Sequence, residues 1–176
     1  GIVKPERVVP TTVDIVDIAG LVKGASKGEG LGNQFLGNIR ETDAILHVLR
    51  CFDDPNVVHV DGSVNPVRDK EVIDMELQLK DLDSVTKAMS KLEKQAKTGN
   101  DKDAKKKYDI MVELKTHLGK GLNARAIQLS KEDWALLQDL HLLTSKPVMY
   151  VCNVDEASAK TGNAYTKAVA DCIKDE

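Results

Sequence analysis

Aromatic residues are scarce in this chain, at 3% of its 176 residues, although apolar residues together make up 41%. A core with so few rings must be built mostly from Val, Ile, Leu and Ala, which suit buried parallel strands and helix seams. The composition therefore favours an α/β protein of one ordinary domain, with room for a smaller subdomain inserted into it.

Cysteine is equally sparse, with only Cys51, Cys152 and Cys172, which are scattered and lack C-x-x-C spacing. An odd, scattered set argues against a disulfide framework or a zinc site, so we expect reduced, partly buried thiols. No apolar run approaches the roughly 18 residues of a membrane span, and the first residues lack the order of a signal peptide. We therefore expect a cytoplasmic protein that does not enter a membrane.

The net charge of −3 gives no global reason to expect nucleic-acid binding. Lysines are nevertheless concentrated between residues 87 and 107, on a chain that is otherwise acidic. A solvated, lysine-rich helix tip is the simpler interpretation of this block, and contact with a polyanion is the alternative.

Hydrophobic periodicity predicts alternating strands and helices. Apolar runs indicate strands at 13–17, 44–52 and 147–152, the second of them typical of a central strand covered on both faces. Helical spacing predicts helices at 33–42, 71–118 (interrupted at 98–101), 130–143 and 165–174, while residues 53–69 read as a long loop. Apart from the long helical pair, this order implies a parallel sheet with helices on its faces.

The first motif that indicates chemistry is Asp17-Ile18-Ala19-Gly20, at the end of the first predicted strand. A carboxylate there can face a hydrated Mg²⁺, and a glycine three residues later can bring its backbone N–H close to a terminal phosphate. The pattern is short, and a strand that simply ends in a turn also explains it.

The second motif is Asn153-Val154-Asp155-Glu156, after the last predicted strand. An Asn amide offers a donor and an acceptor to a purine edge, and a nearby carboxylate accepts from N–H groups. In the guanine-specific form the tetrapeptide is Asn-Lys-x-Asp, so Val154 replaces the Lys and Glu156 replaces the Asp. By itself the segment could equally be a loop that caps a helix.

Both motifs follow an apolar strand in the order used by GTPase-like domains, so we expect them to face one shared cleft. The residues between them closely resemble the YchF (Obg-like ATPase) family of P-loop NTPases, and the resemblance extends from Pro5 to Glu176. Its most specific parts are the glycine-rich stretch 17–36 and the segments 38–42, 48–52 and 64–66. It implies a partial GTPase-like α/β domain, residues 1–70 and 144–176, with an inserted antiparallel coiled-coil hairpin, residues 71–143.

The resemblance also implies the ligands and their residues. Members of this family prefer ATP, a preference associated with the altered tetrapeptide, in which Asn153, Val154 and Glu156 would contact the base. Glu156 is one methylene longer than Asp, so its carboxylate cannot occupy the same place under a guanine. Asp17 would hold Mg²⁺ through water, Gly20 would sense the γ-phosphate, and residues 20–32 would form a mobile second switch loop.

Many small GTPases carry a Gln directly after D-x-x-G, where it orients the attacking water. Leu21 occupies that position here, and an aliphatic side chain cannot orient water. We therefore name His59, in the loop after the central strand, as the substitute group, because a neutral imidazole can position water or accept its proton. An ordinary loop residue flanked by valines is the alternative interpretation.

The family's phosphate loop, Gly-x-x-x-x-Gly-Lys-Ser/Thr, does not occur in this sequence. We therefore expect these 176 residues alone to bind ATP weakly and to hydrolyse none. The resemblance implies that the intact protein is an ATPase switch acting with the ribosome. Its RNA contact would be the basic tip formed by Lys102, Lys105, Lys106 and Lys107. The alternatives are a GTP-dependent nucleic-acid-binding protein and a protein-binding module without catalysis.

Overall fold

The structure is a computed structural model, and it describes residues 7–18, 31–57, 59, 62–98 and 101–174. Its helices and strands are α1 Leu31–Glu41, β1 Ile45–Arg50, α2 Pro66–Thr98, α3 Lys102–Gly119, α4 Lys131–Leu137, β2 Val148–Asn153 and α5 Ala164–Cys172. The chain also forms a 3₁₀ turn at Ala124–Ala126, between α3 and α4, and another at Gln138–Leu140, directly after α4. None of the helices within these ranges is both long enough and apolar enough to span a bilayer.

The two strands form a parallel sheet, as the alternation of elements predicts. Their register runs from Ile45 opposite Val148 to Arg50 opposite Asn153. The Cys51 amide donates to the Asn153 carbonyl at 2.7 Å, which carries the pairing one residue past β1. Because the strands are parallel, their carboxyl ends meet at one edge of the sheet, which we call the carboxyl edge.

Only one face of this sheet is covered within the part of the chain that the structure describes. Leu49 of β1 is buried and packs with Val169 of α5, whereas Val48 on the opposite face is 62% exposed. Met149 of β2 is 64% exposed on that same side. The prediction of a central strand covered on both faces is therefore wrong for the residues described.

The strand predicted at 13–17 is also wrong. Residues 7–18 form no helix or strand, and Val13 and Ile15 are largely exposed. A strand needs a neighbour for its ladder of hydrogen bonds, and among the described residues the sheet contains only β1 and β2. The segment is held instead by Ile18, which packs on an apolar cluster that includes Leu143.

The long helices α2 and α3 pack along each other, where the periodicity predicts a helical pair. Their shared core contains Val85, Met111 and Leu114, and Trp134 and Leu137 of α4 pack on the same cluster. α2 begins at Pro66 rather than at residue 71, so the predicted loop at 53–69 is too long. The Asn65 carboxamide accepts from the Arg68 amide at 3.1 Å, and proline suits a first helical position.

The helix predicted at 130–143 begins as expected, since the Ser130 hydroxyl accepts from the Asp133 amide at 3.1 Å. It ends early, however. His141 takes a left-handed conformation with φ of 46°, and the chain turns so that Leu143 and Thr144 are buried. The amides of Leu143 and Thr144 donate to a side chain of α2, so these residues do not continue α4.

That partner is Asp81 of α2, whose side chain has no exposed surface. One carboxylate oxygen accepts from the Leu143 amide at 2.8 Å, and the other accepts from the Thr144 amide and hydroxyl at 2.8 and 2.7 Å. Burial raises the pKa of the Asp81 carboxyl, and the hydrogen bonds from Thr144 and Leu143 oppose that rise. Asp81 therefore joins α2 to the turn that leads into β2.

We expect Asp81→Ala to lower the free energy of unfolding by about 3 kcal/mol, because each of the stranded buried donors costs about 1–3 kcal/mol when unpaired. Chemical denaturation followed by circular dichroism measures this loss. Asp83→Ala is the matched control on the same helix, since Asp83 is partly exposed and forms an ion pair with the exposed Lys87. It should change stability by no more than about 0.5 kcal/mol. Equal effects of the two substitutions would contradict the role given to Asp81.

Candidate functional site

The loop after β2 carries the predicted base-contacting tetrapeptide at the carboxyl edge of the sheet. Asn153 and Glu156 have exposed side chains, as a group that meets a ligand requires. Val154 is half-buried and packs on the cluster formed by Leu49, Cys51 and Val169. The loop therefore presents an amide and a carboxylate to solvent from a backbone that is anchored by an apolar side chain.

Asp155 has a different task in this loop. Its carboxylate accepts from the Ser158 amide at 2.7 Å, which closes the turn that follows β2. The next residues lead to α5, whose first turn is fixed by reciprocal hydrogen bonds between Asn163 and Thr166. Asp155, although exposed, thus uses its carboxylate to shape the loop, and Asn153 and Glu156 are the other exposed polar residues of the tetrapeptide.

Two contacts join this loop region to the segment that follows β1. The Asn163 carboxamide donates to the Cys51 carbonyl at 2.8 Å, and the Tyr165 hydroxyl donates to the Asp53 carboxylate at 2.8 Å. The hydrogen bond to Asp53 raises the pKa of Tyr165. The sequence analysis did not single out Asn163 or Tyr165. Asn163 could have been recognised, because Asn followed three residues later by Thr is typical of a helix cap.

Cys51 is buried where β1 ends. Burial raises the pKa of this thiol to about 12, and its hydrogen bond with Cys152 acts in the same direction. Cys51, Cys152 and Cys172 are all free thiols, which confirms the expectation of reduced, partly buried cysteines. A thiol with so high a pKa is a packing residue rather than a nucleophile.

Arg50, the last residue of β1, holds the next loop against the sheet. Its guanidinium donates to the carbonyls of Phe52, Asp54 and Val57 at 3.1, 3.3 and 2.9 Å. It also lies over the Phe52 ring, at 4.8 Å from the ring centroid. The loop therefore has a defined course from Cys51 to Val57.

His59 lies further along this loop, at the rim of an open depression of about 420 Å³ that is also lined by Arg50, Asp53 and Ser63. Its Nε2 is 2.9 Å from an oxygen of the Asp69 carboxylate, in the first turn of α2. The His59 side chain is only 16% exposed. His59 is therefore partly buried and paired with a carboxylate, which is not expected of an ordinary loop residue.

Of the first motif, Asp17 and Ile18 lie within the described residues. Asp17 is exposed, and Ile18 packs on the apolar cluster that includes Leu143, on which Ile45 also packs. The shared cleft expected for Asp17 and Asn153 stays a prediction. Gly20 and Leu21 lie outside the described residues, as does most of the predicted switch loop.

This placement bears on the magnesium ion that the resemblance implies. Mg²⁺ takes one or two carboxylates with water and substrate phosphates, so the chemistry of a single exposed Asp17 suits it. Its exposure leaves the carboxylate accessible to a hydrated ion. The described residues contain no cluster of carboxylate, imidazole or thiol side chains that could hold a metal ion.

The four lysines of the basic tip differ in their ion pairs. Lys106 forms an ion pair with Asp133 at 2.6 Å, and Lys107 forms one with Asp139 at 2.7 Å. The hydrogen bond to Asp133 raises the pKa of Lys106. Lys102 and Lys105 are exposed on the first turn of α3. Of these four lysines, Lys106 and Lys107 are therefore partly neutralised by carboxylates of the chain itself.

Comparison with known proteins relates this architecture to a family. Residues 3–113 match the family model described as 50S ribosome-binding GTPase. The ribosome-binding ATPase YchF of Escherichia coli O157:H7 is 55% identical over 155 residues, 88% of this chain and 42% of that protein. The YchF of Pasteurella multocida strain Pm70 is 50% identical over 175 residues, 99% of this chain and 48% of that protein.

A solved structure shows the same likeness in three dimensions. The Schizosaccharomyces pombe YchF GTPase superposes with a TM-score of 0.74 at 35% identity, over 90% of this chain and 43% of that one. The chain spans less than half the length of the curated relatives it matches. On sequence and fold together, the chain belongs to the YchF, or Obg-like, family of proteins with the P-loop GTPase fold.

Proposed function

We propose that this chain carries the base-recognition loop and a catalytic loop of an ATP-hydrolysing switch protein that acts with the ribosome in the cytoplasm. The observation that supports this most directly is the exposed pair Asn153 and Glu156 at the carboxyl edge of a parallel sheet. Ligands of open α/β sheets bind at that edge. The names of the YchF relatives, ribosome-binding ATPases, agree with the proposal.

Adenine preference follows from the tetrapeptide. In the guanine-specific form, an Asp carboxylate accepts two N–H groups of the base, and the rigid distance from backbone to carboxylate sets the fit. Glu156 extends its carboxylate by one methylene, so a guanine loses this paired contact while the Asn153 amide can still meet a purine edge. Val154 packs inward, where the guanine-specific form has a Lys.

The hydrolytic part of the proposal concerns Leu21 and His59. Leu21 offers no group that orients water, so another side chain must do so or turnover is slow. His59 is the described residue whose chemistry fits, because an imidazole near neutrality can position water and accept its proton. Magnesium with Asp17 as its ligand and Gly20 at the γ-phosphate belong to the proposal on residue type and resemblance alone.

Base specificity tests the proposal directly. In a chain extended to the full length of its YchF relatives, Glu156→Asp should shift the ratio of ATP to GTP affinity toward GTP by about tenfold or more. The shorter carboxylate regains the place from which it can accept the guanine N–H groups. Competition between the two nucleotides, followed by fluorescence of a labelled analogue, measures the ratio.

Glu132→Asp is the matched control, because it makes the same change at the start of α4, away from the carboxyl edge. It should leave the ratio of ATP to GTP affinity unchanged. If Glu156→Asp also leaves the ratio unchanged, the tetrapeptide does not select the base.

Phosphate binding gives a second test, on the 176-residue chain itself. The sequence contains no Gly-x-x-x-x-Gly-Lys-Ser/Thr, the loop whose backbone amides and lysine cradle a triphosphate. We expect isothermal calorimetry with ATP and Mg²⁺ to give a Kd of about 1 mM or weaker. Micromolar binding by this chain would contradict the expectation and would show that the residues present suffice.

The helical pair α2 and α3 supplies the partner-binding part of the proposal, as an inserted coiled-coil domain at residues 71–143. A basic tip on an acidic chain suits the phosphates of ribosomal RNA. Lys102 and Lys105 are exposed, whereas Lys106, which is also exposed, and Lys107 already pair with Asp133 and Asp139. The first two lysines should therefore contribute most to RNA affinity.

Charge reversal tests whether a lysine at the tip contributes more to ribosome binding than a lysine elsewhere on the same helix. Lys105→Glu should weaken ribosome binding by the full-length protein by about tenfold at low salt and reduce the salt dependence of binding. Lys115→Glu is the matched control, being an exposed lysine on the same helix near its other end. Sedimentation with ribosomes at two salt concentrations measures both. Equal losses for the two variants would rule out the tip as the contact.

A module that binds a partner without catalysis is the second candidate function, and the packed helical pair is the observation that favours it. It predicts that His59→Ala leaves both turnover and partner binding unchanged. The switch hypothesis predicts that the same substitution lowers ATP turnover. A GTP-dependent nucleic-acid-binding protein is less favoured because of Glu156.

A further inference from the structure

We propose that a second cavity, between α2, the turn after α3 and the end of α5, binds a neutral planar group that presents a hydrogen-bond acceptor beside a donor. Primary carboxamides and the amino edge of adenine share this chemistry. Gln78 and Asn123 are the residues that would recognise it. The site goes beyond the proposed function, because its described lining residues do not include those of the loops after β1 and β2.

The cavity has the size of a small-molecule site and lies away from the base-recognition loop. Its volume is about 340 Å³, and small-molecule pockets range over roughly 300–1,000 Å³. Cys172, the last residue of α5, is part of its lining. α5 has nine residues, so at about 1.5 Å per residue its end lies roughly 12 Å from its start near the carboxyl edge.

Two carboxamides meet at this cavity in an orientation that a backbone carbonyl fixes. Gln78 Nε2 lies 3.1 Å from the Gly121 carbonyl oxygen and 2.8 Å from Asn123 Oδ1. A carbonyl only accepts hydrogen bonds, so the Gln78 atom that faces it must be the nitrogen. The Asn123 atom that accepts from this nitrogen must then be the oxygen. The oxygen of Gln78 and the NH₂ group of Asn123 therefore remain for another partner.

These two remaining atoms are an acceptor and a donor that face the cavity. Gln78 and Asn123 are each only 8% exposed. Within the described part of the chain, Gln78 Oε1 and Asn123 Nδ2 have no hydrogen-bond partner, and neither is among the polar atoms enclosed without solvent contact. Both residues line the cavity, so the small surface that they keep lies there. A ligand that pairs with both atoms would satisfy two nearly buried polar groups.

The turn that carries Asn123 is held in place before any ligand arrives. His117 Nε2 donates to the Asn123 carbonyl at 3.0 Å. The next residue, Ala124, is fully buried, and its amide donates at 2.9 Å to the Thr144 hydroxyl, which itself donates to Asp81. The Asn123 side chain is therefore preorganised, which lowers the ordering that binding has to impose.

The charges around the cavity favour a neutral ligand. Two basic and two acidic residues are part of its described lining, namely Lys70, Arg125, Glu71 and Asp74. Lys70 and Asp74 form an ion pair at 2.7 Å, and their side chains are only 4% and 13% exposed. A charged ligand would lose hydration there without meeting an excess of opposite charge. A neutral group with one acceptor and one donor avoids that penalty.

A purely structural role for the two carboxamides is the competing explanation, since their hydrogen bond joins α2 to the turn after α3. Asn123→Asp separates the two roles. The variant keeps Oδ1, which accepts from Gln78 Nε2, and replaces only the NH₂ donor by an oxygen. Asn56→Asp is the matched control, because it makes the same change at an exposed residue of the loop after β1.

Titration of this chain with small probes, followed by NMR of the side-chain NH₂ signals of Gln78 and Asn123, tests the proposal. The probes are nicotinamide, a carboxamide, and adenosine, each compared with an analogue that lacks the donor, nicotinic acid and purine riboside. We expect a saturable shift of both signals with at least one probe, and the probe that binds more tightly identifies the source of the ligand. Its analogue should bind at least about tenfold more weakly, because Gln78 Oε1 then stays unpaired.

Asn123→Asp should weaken binding of the same probe by at least about tenfold, and Asn56→Asp should leave its affinity unchanged. The proposal is overturned if neither probe gives a saturable shift, if the analogues without a donor bind as tightly as the probes, or if Asn123→Asp binds like the wild type. The comparison of each probe with its analogue uses the unaltered chain, so it does not depend on whether a variant folds.

Discussion

The structure depends on one buried carboxylate. Asp81 sits in the middle of α2 and accepts hydrogen bonds from Leu143 and Thr144, which lie more than sixty residues later in the chain. The Thr144 hydroxyl in turn accepts from the Ala124 amide, so the same network fixes the 3₁₀ turn after α3. β2 begins a few residues beyond Thr144. The position of the loop after β2 therefore follows from a network of buried hydrogen bonds.

A second set of contacts makes the two candidate loops parts of one unit. Asn163 and Tyr165 reach from the start of α5 to Cys51 and Asp53, in the segment that leads toward His59. Arg50 then holds the next residues to the end of β1, and Arg68 holds the far end of the loop to α2. A shift of the loop after β2 would therefore displace the loop after β1. The two loops that we propose for base recognition and hydrolysis are thus joined by hydrogen bonds from the start of α5.

Elements with a strong local signal were predictable from the sequence. The helical pair, β1, β2, the cap at Ser130 and the parallel order all follow from periodicity and capping residues. The start of α2 could also have been inferred from Asn65-Pro66, a cap followed by a suitable first residue. Asp81 could not, because a carboxylate in a helical pattern reads as solvent-facing and its partners are distant in sequence. The pairing of His59 with Asp69 was missed because loop geometry is not encoded in spacing.

The strand prediction at residues 13–17 was wrong for a similar reason. A β-prone composition indicates only that a segment can form a strand. The strand also needs a neighbouring strand to pair with and buried side chains that set its register. Ile18 at the end of this segment packs on the apolar cluster that includes Leu143. The loop after β1 is fixed differently, because Arg50 donates to the Val57 carbonyl and Asn163 donates to the Cys51 carbonyl. The two candidate loops are therefore positioned by polar contacts around β1, β2 and the start of α5, whereas the segment before Ile18 depends on apolar packing.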